Sequence, residues 1–481
     1  MMLKWIKYSA WLLLLVELVA CSPSVPEKAE KLDVFPSIFP DYIDVTIPQN
    51  IAPLNFYVKQ EGKTRLLIQG NGQELCLNGQ NGSFIIPLKK WRNLLKTNVE
   101  GSLTLTVFCQ DGSTWKQYKS FNYFIKDDKI DSHLVYRLIP PAFRLWNQMG
   151  IYQRDLESFD EKPLLINRMT DHNCMNCHTF SMNSPQRMLF HQRSSHPGTY
   201  LAESGRLSKV TFNLPDNVGV RYMNWDPSGR YLVFSTNDVK QDYHYADPNR
   251  IEVFDSMSDI YIYDMKEGKT FTDSLLSSKN AMETFPAFSA DGKKIFFCSA
   301  TNRPMPEEYR QVKYNLLSID FNPENQLVGN KVDTLFNAEK EGRSAKFPRV
   351  SPDGHYLLYT LSEYGNFSIW HKDADLKMYD FVNGKELPID AVNSDDTESY
   401  HSWSSNSRWF VFSSRRDDGS YTRPYFAYID NQGNVSKPFV LPQKDPKMYD
   451  GFLLSYNIPE LVNGKVEGDV YLWASYTRKQ P

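Results

Sequence analysis

The chain has 481 residues, a formal charge of −3 and a pI near 6.3, with 41% hydrophobic and 14% aromatic residues. That composition belongs to a folded globular body, excludes a disordered chain, and at this length allows two to three domains. No general basic field points to nucleic acid, and no Walker loop, GxSxG elbow or HExxH helix offers a foothold for those enzyme classes.

Residues 1–20 read as a secretory signal. Lys4 and Lys7 precede an apolar run from Trp11 to Ala20, too short to span a bilayer, which needs roughly 20 apolar residues. The ending Leu18-Val19-Ala20-Cys21 resembles a bacterial lipobox, which implies cleavage before Cys21 and lipidation of that cysteine. An ordinary signal with an incidental cysteine is the alternative. Residues 21–35 are polar and proline-containing, as suits a tether. The expected location is the bacterial cell envelope, lipid-anchored, on the periplasmic face or the outer surface of the outer membrane.

From 36 to 130, short strands such as TRLLIQG, GSFIIPL and SLTLTVFC alternate with Gly and Asn turns. The spacing predicts an all-β sandwich of immunoglobulin or fibronectin type. Cys76 and Cys109 could form a disulfide in an oxidising compartment, although sequence does not set their Cα separation. Residues 131–173 read as a partly helical linker. Phe143, Trp146 and Met149 fall at helical spacing ahead of Gly150.

The linker ends on Cys174-Met-Asn-Cys177-His178. With 6 Cys and 9 His in the chain, chance yields a CxxCH about 0.001 times, and the pattern reads as c-type haem attachment. Cys174 and Cys177 would form the thioethers of one haem c, and His178 would be the proximal iron ligand. His191, Met182 or Met188 could serve as the distal ligand, or the sixth position stays open. His172 and His196 are weaker candidates for acid–base work at an open iron. A redox CxxC lacks its usual βαβ setting, and structural zinc usually draws on two separated ligand pairs.

Residues 174–481 carry an internal repeat. NWDPSGRYLVFST, AFSADGKKIFFCS, RVSPDGHYLLYTL and SWSSNSRWFVFSS each place a tight polar turn before an apolar strand. Aligned on Trp225, Phe288, Val350 and Trp403, they recur every 53 to 63 residues, a blade period of about 40–50 lengthened by loops. TFSMNSPQRMLFHQ, from Thr179, has the same outline, so CxxCH feeds the first blade. These SPDG-type turns resemble the TolB-like propeller family over residues 175–480. The resemblance implies a ring of blades, commonly six, around a channel used for protein or ligand contact. Asn406-Ser407 departs from the usual Asp-Gly, and no clear repeat follows Pro442.

The expected protein is therefore all-β, a sandwich followed by a six-bladed propeller. It carries one haem, a lipid anchor and an envelope protein partner on the propeller face, with no nucleic acid. Electron transfer or redox sensing is the leading expectation. A non-redox scaffold for a protein or glycan, with CxxCH structural, is the alternative.

Overall fold

A computed structural model describes residues 23–60, 62–141, 148–214 and 219–480. The lipobox cysteine Cys21 and the helical-spacing residues Phe143 and Trp146 lie outside them. The chain divides into two units, Met1–Asp44 with Pro53–Ile125 and Gln443–Tyr449, and Val45–Ala52 with Lys126–Pro442 and Asp450–Pro481. Among the described residues no helix is long and apolar enough to cross a membrane.

In the first unit, Thr64–Gly70 lies between Gln73–Asn78 and Ser102–Asp111, and the latter also pairs with Thr114–Gln117 and Phe121–Lys126. A smaller sheet joins Ile38–Phe39, Phe56–Val58 and Ser83–Phe84. The strand expected across GSFIIPL stops at Phe84, and a helix, Leu88–Thr97, follows Pro87. Its apolar residues recur at helical spacing, so Trp91, Leu94 and Leu95 are all buried on one stripe. Cys76 pairs with Leu67 and Cys109 with Thr64, so Thr64–Gly70 runs between the two cysteines. Two inter-strand steps of about 4.8 Å each exceed disulfide reach. Both are free thiols, which corrects the expected bridge.

The second unit is a β-propeller of four-stranded antiparallel sheets. Five follow one another along the chain, opening on Cys174–Phe180, Val220–Trp225, Ala281–Phe288, Ser344–Val350 and Glu398–Trp403. A sixth joins His133–Ile139, Gly150–Asp155 and Glu161–Ile166 to the late strand Ser455–Val462. Residues 131–173 are thus mainly three strands of a sheet, not the expected linker, and Gly150 starts a strand. The opening strands touch their neighbours in order, and Ser455–Val462 touches both Glu398–Trp403 and Cys174–Phe180.

The repeated turns explain the repeated sequence. In Ser351-Pro-Asp-Gly354, the Ser351 hydroxyl donates to Asp353 and accepts from the Tyr356 amide, while Gly354 sits at φ +77°. At the divergent copy Asn406 accepts from Ser404, and Ser407 holds the left-handed position at φ +61°. Ser407 also accepts from the amide of Asp353 in the preceding turn, at 3.0 Å. That bond offsets part of the cost a β-carbon meets there.

Candidate functional site

Each opening strand breaks its ladder at the same place. The pairing skips Tyr222-Met223, Phe285-Pro286, Phe347-Pro348 and Tyr400-His401, and on the late strand Ile458-Pro459. On Cys174–Phe180 it skips Cys177-His178. The second half of the CxxCH motif therefore occupies a two-residue bulge common to all six sheets. Tyr222, Phe285, Phe347, Tyr400 and Ile458 take φ between +47° and +52° there. Bulky side chains rarely adopt this backbone, and it costs about 1–2 kcal/mol per residue.

The aromatic members of this belt pack against one another in tilted or edge-on pairs. Tyr222 and Phe285 lie 4.3 Å apart, Phe285 and Phe347 4.0 Å, and Phe347 and Tyr400 4.9 Å. Tyr222, Tyr400 and Ile458 line both of two cavities. One also receives His178, Met182, Arg349 and Glu460. The other receives Cys174, Met149, Asn176 and three arginines, Arg137, Arg193 and Arg221.

His178 is buried at 3% exposure, and its Nε2 has no hydrogen-bond partner. Burial pushes its imidazole down to about 3, and the Arg137 guanidinium adds to the effect although the carbonyls of Val135 and Ile458 oppose it. The ring is thus neutral at physiological pH, the form that ligates a metal. His401 occupies the same bulge position and is likewise pushed to about 3 by burial, but its Nε2–H donates to the Leu358 carbonyl at 2.9 Å. The two histidines share a place, and each leaves one buried ring nitrogen without a partner, Nε2 in His178 and Nδ1 in His401.

The other expected ligands are scattered. His191 is buried on the second strand of the motif's sheet, and its Nδ1 lies 2.9 Å from the Thr199 hydroxyl. Burial, with Arg193 and Arg221 nearby, holds that ring well below the usual histidine range. Met188 is packed in an apolar cluster with Phe180, Phe190 and Trp473. Met182 is 43% exposed in the following turn and lines the cavity with His178. His196 pairs with Asp171 at 2.9 Å, and His172 is exposed. Only Met182 therefore shares a cavity with His178 among these. Among the described residues no three His, Cys, Asp or Glu side chains gather as a metal site.

The residues fit a covalently held porphyrin in their chemistry. That fit rests on an orphaned buried imidazole nitrogen, a cysteine on a cavity wall, and Cys177-His178 released from the ladder. They fit less well in placement, since Cys174 and His178 line different cavities. Sequence reasoning missed Met149, whose sulfur accepts from the Met175 amide beside Cys174 at 3.2 Å. It also missed the three arginines, which come from three different sheets and carry no local signature.

No family model matches the chain, and no curated protein matches it. Among solved structures it is similar to the β-propeller domain of Cps50 (Swd1) from Myceliophteria thermophila, at 8% identity and TM-score 0.35, covering 66% of this chain and 88% of that one. It is similar to dipeptidyl peptidase 4 of Porphyromonas gingivalis at 11% identity and TM-score 0.32, covering 82% and 53%. A DUF4784 family protein from Bacteroides caccae gives 9% identity and TM-score 0.33, covering 88% and 98%. At such identities and scores these likenesses carry nothing about activity.

Proposed function

We propose that this chain is a lipid-anchored envelope protein whose six sheets are the blades of one TolB-like ring, carrying a c-type haem on Cys174 and Cys177. The first unit is read as an immunoglobulin- or fibronectin-like sandwich with one inserted helix. The observation that carries the haem reading is the coincidence of the motif with the bulge. Cys177 and His178 lie where the strand leaves its ladder, and the His178 Nε2 is buried without a partner. When bound, the haem supplies a one-electron couple. The chain's own residues hold it by two thioethers, present a neutral imidazole, and exclude water with the aromatic belt.

The test is protein made in a host with a haem-attachment system. A Soret band should survive acid–acetone extraction and should vanish in Cys174→Ala/Cys177→Ala. Colourless wild-type protein from such a host overturns the reading. His178→Met, which keeps both thioether positions, should shift the reduction potential of the loaded protein, because axial-ligand identity is a main lever on it.

One observation favours the second reading, a non-redox scaffold. Tyr400-His401 builds the same bulge with a buried neutral histidine and no cysteine. On that reading His178 is a structural piece of the repeat, and the propeller face binds an envelope protein or a glycan. A folded, anchored His178→Met variant that fully supports function in cells would favour it.

A further inference from the structure

The cavity holding Cys174 is charged in one sense only. Arg137, Arg193 and Arg221 all line it, and no Asp or Glu is among its described lining residues. Arg137 is 7% exposed; its Nη1 donates to the Met175 carbonyl at 3.1 Å and to the Asn176 side chain, while its Nε has no partner. Arg221 donates from Nε to the Asn237 carbonyl at 3.1 Å. Arg221 acts electrostatically on the carboxylates of Asp255 and Asp238. Asp255 already accepts from Asn237 and Asn366, and Asp238 from Ser256 and Lys240. Neither lines the cavity. Three guanidiniums around one cavity repel one another, and an anion among them offsets that repulsion.

The remaining walls are mainly apolar, with Ile139, Met149, Val253, Phe367, Ile369 and Trp370 prominent, and Gln241, Thr422, Ser455 and Asn457 add neutral polar groups. Val239, Gln241 and Val253 come from a hairpin whose strands run 13 and 14 residues, well past its sheet. Glu252 of that hairpin accepts from the Tyr364 hydroxyl at 2.9 Å and faces the His371 Nε2 at 3.2 Å, so it is pinned to the fourth consecutive sheet and its loop.

We propose that this cavity binds the carboxylate end of an amphiphilic anion, with Arg137, Arg193 and Arg221 on the carboxylate and the apolar walls on its body. Planar guanidinium forks match carboxylates in two-bond geometry. The propionates of a resident haem and the head of a free fatty acid present the same chemistry, so the site goes beyond the haem reading and stands without it.

The test uses the full chain carrying Cys174→Ala and Cys177→Ala, which holds no covalent haem in any host. It is titrated with 11-(dansylamino)undecanoic acid and with the methyl ester of that probe. The acid should bind saturably and about tenfold or more tighter than the ester, the value of a charge-assisted hydrogen bond. Arg221→Gln and Arg193→Gln, both at half-buried positions, should each narrow that preference while circular dichroism stays native. Equal binding of acid and ester, or a preference unchanged in both folded variants, overturns the proposal. In a second arm, wild-type protein from a haem-attaching host is titrated with the acid. Loss of binding assigns the site to the propionates of the haem, and retained binding assigns it to a free carboxylate. A missing Soret band there defeats the haem reading alone.

Discussion

Replacing Phe285 by alanine and by glycine should give stabilities in the reverse of the usual strand order. Phe285 is fully buried, at φ +52°, with its ring 4.3 Å from Tyr222 and 4.0 Å from Phe347. Either change removes the ring, at about 3–5 kcal/mol. In an ordinary strand glycine would cost a further 0.5–1 kcal/mol or so relative to alanine. Here alanine retains the left-handed penalty of about 1–2 kcal/mol, which glycine sheds. The difference leaves Phe285→Gly more stable than Phe285→Ala by up to about 1.5 kcal/mol. Ile295, buried on the paired strand and without a positive φ, supplies the control, since there glycine should be the worse substitution. Urea midpoints followed by near-ultraviolet circular dichroism compare the four variants. If Phe285→Gly falls below Phe285→Ala by the same interval as the control pair, the belt is unstrained and the reasoning fails.

Asp255 and Lys346 should together contribute least to stability near neutral pH. Burial pushes Asp255 up to about 7, so its contribution is complete below its ordinary value of 3.8 and is lost as pH rises through 7. Burial pushes Lys346 down to about 7, so its contribution is complete above 10.5 and is lost as pH falls through 7. Melting temperatures from pH 4 to 10, compared between wild type, Asp255→Asn and Lys346→Met, check this: Asp255→Asn should lose the fall on the acid side and Lys346→Met the rise on the alkaline side. Cys76 and Cys109 should both be alkylated in denaturant without reductant, Cys76 first in the native protein, because burial pushes the Cys109 thiol up to about 11. A Cys76–Cys109 crosslink in the mass spectrum would contradict the strand order. Cys21→Ser should move the protein from the membrane fraction to the soluble one, since stable anchoring needs more than one acyl chain and lipidation would supply them. Retention of that variant in membranes would argue against the lipobox.

Much of the ring was legible because its turns are chemically demanding. A tight turn needs a left-handed residue and a side-chain acceptor, so Ser351 to Gly354 leaves a signature wherever it recurs. The bulge leaves a weaker signature. Tyr222, Phe285, Phe347 and Tyr400 are aromatic and Pro follows Phe285, Phe347 and Ile458, but Cys177 and Ile458 break the aromatic pattern and no single residue type marks all six copies. The sheet built from residues 133–166 lacks the SPDG turn, and its fourth strand arrives nearly 300 residues later, so no local pattern marks it as one unit. The helix Leu88–Thr97 was readable from Trp91, Leu94 and Leu95, but the strand-like Phe84-Ile85-Ile86 before it drew the assignment the other way. Whether Cys76 meets Cys109 depends on strand order, which no spacing encodes.

The pairing of Ser455–Val462 with His133–Ile139 also sets a timetable. A chain delivered N-terminus first presents residues 133–180 long before residue 455 arrives, so the sheet they begin waits for its last strand. Throughout that interval the strand Cys174–Phe180 lacks one of its two flanking neighbours, and its thiols are open to other proteins. Once the late strand docks, Cys174 is 7% exposed and His178 3%. Any enzyme that modifies these residues must therefore act on the unfinished chain, and a truncation before Ser455 would leave its substrate permanently on offer.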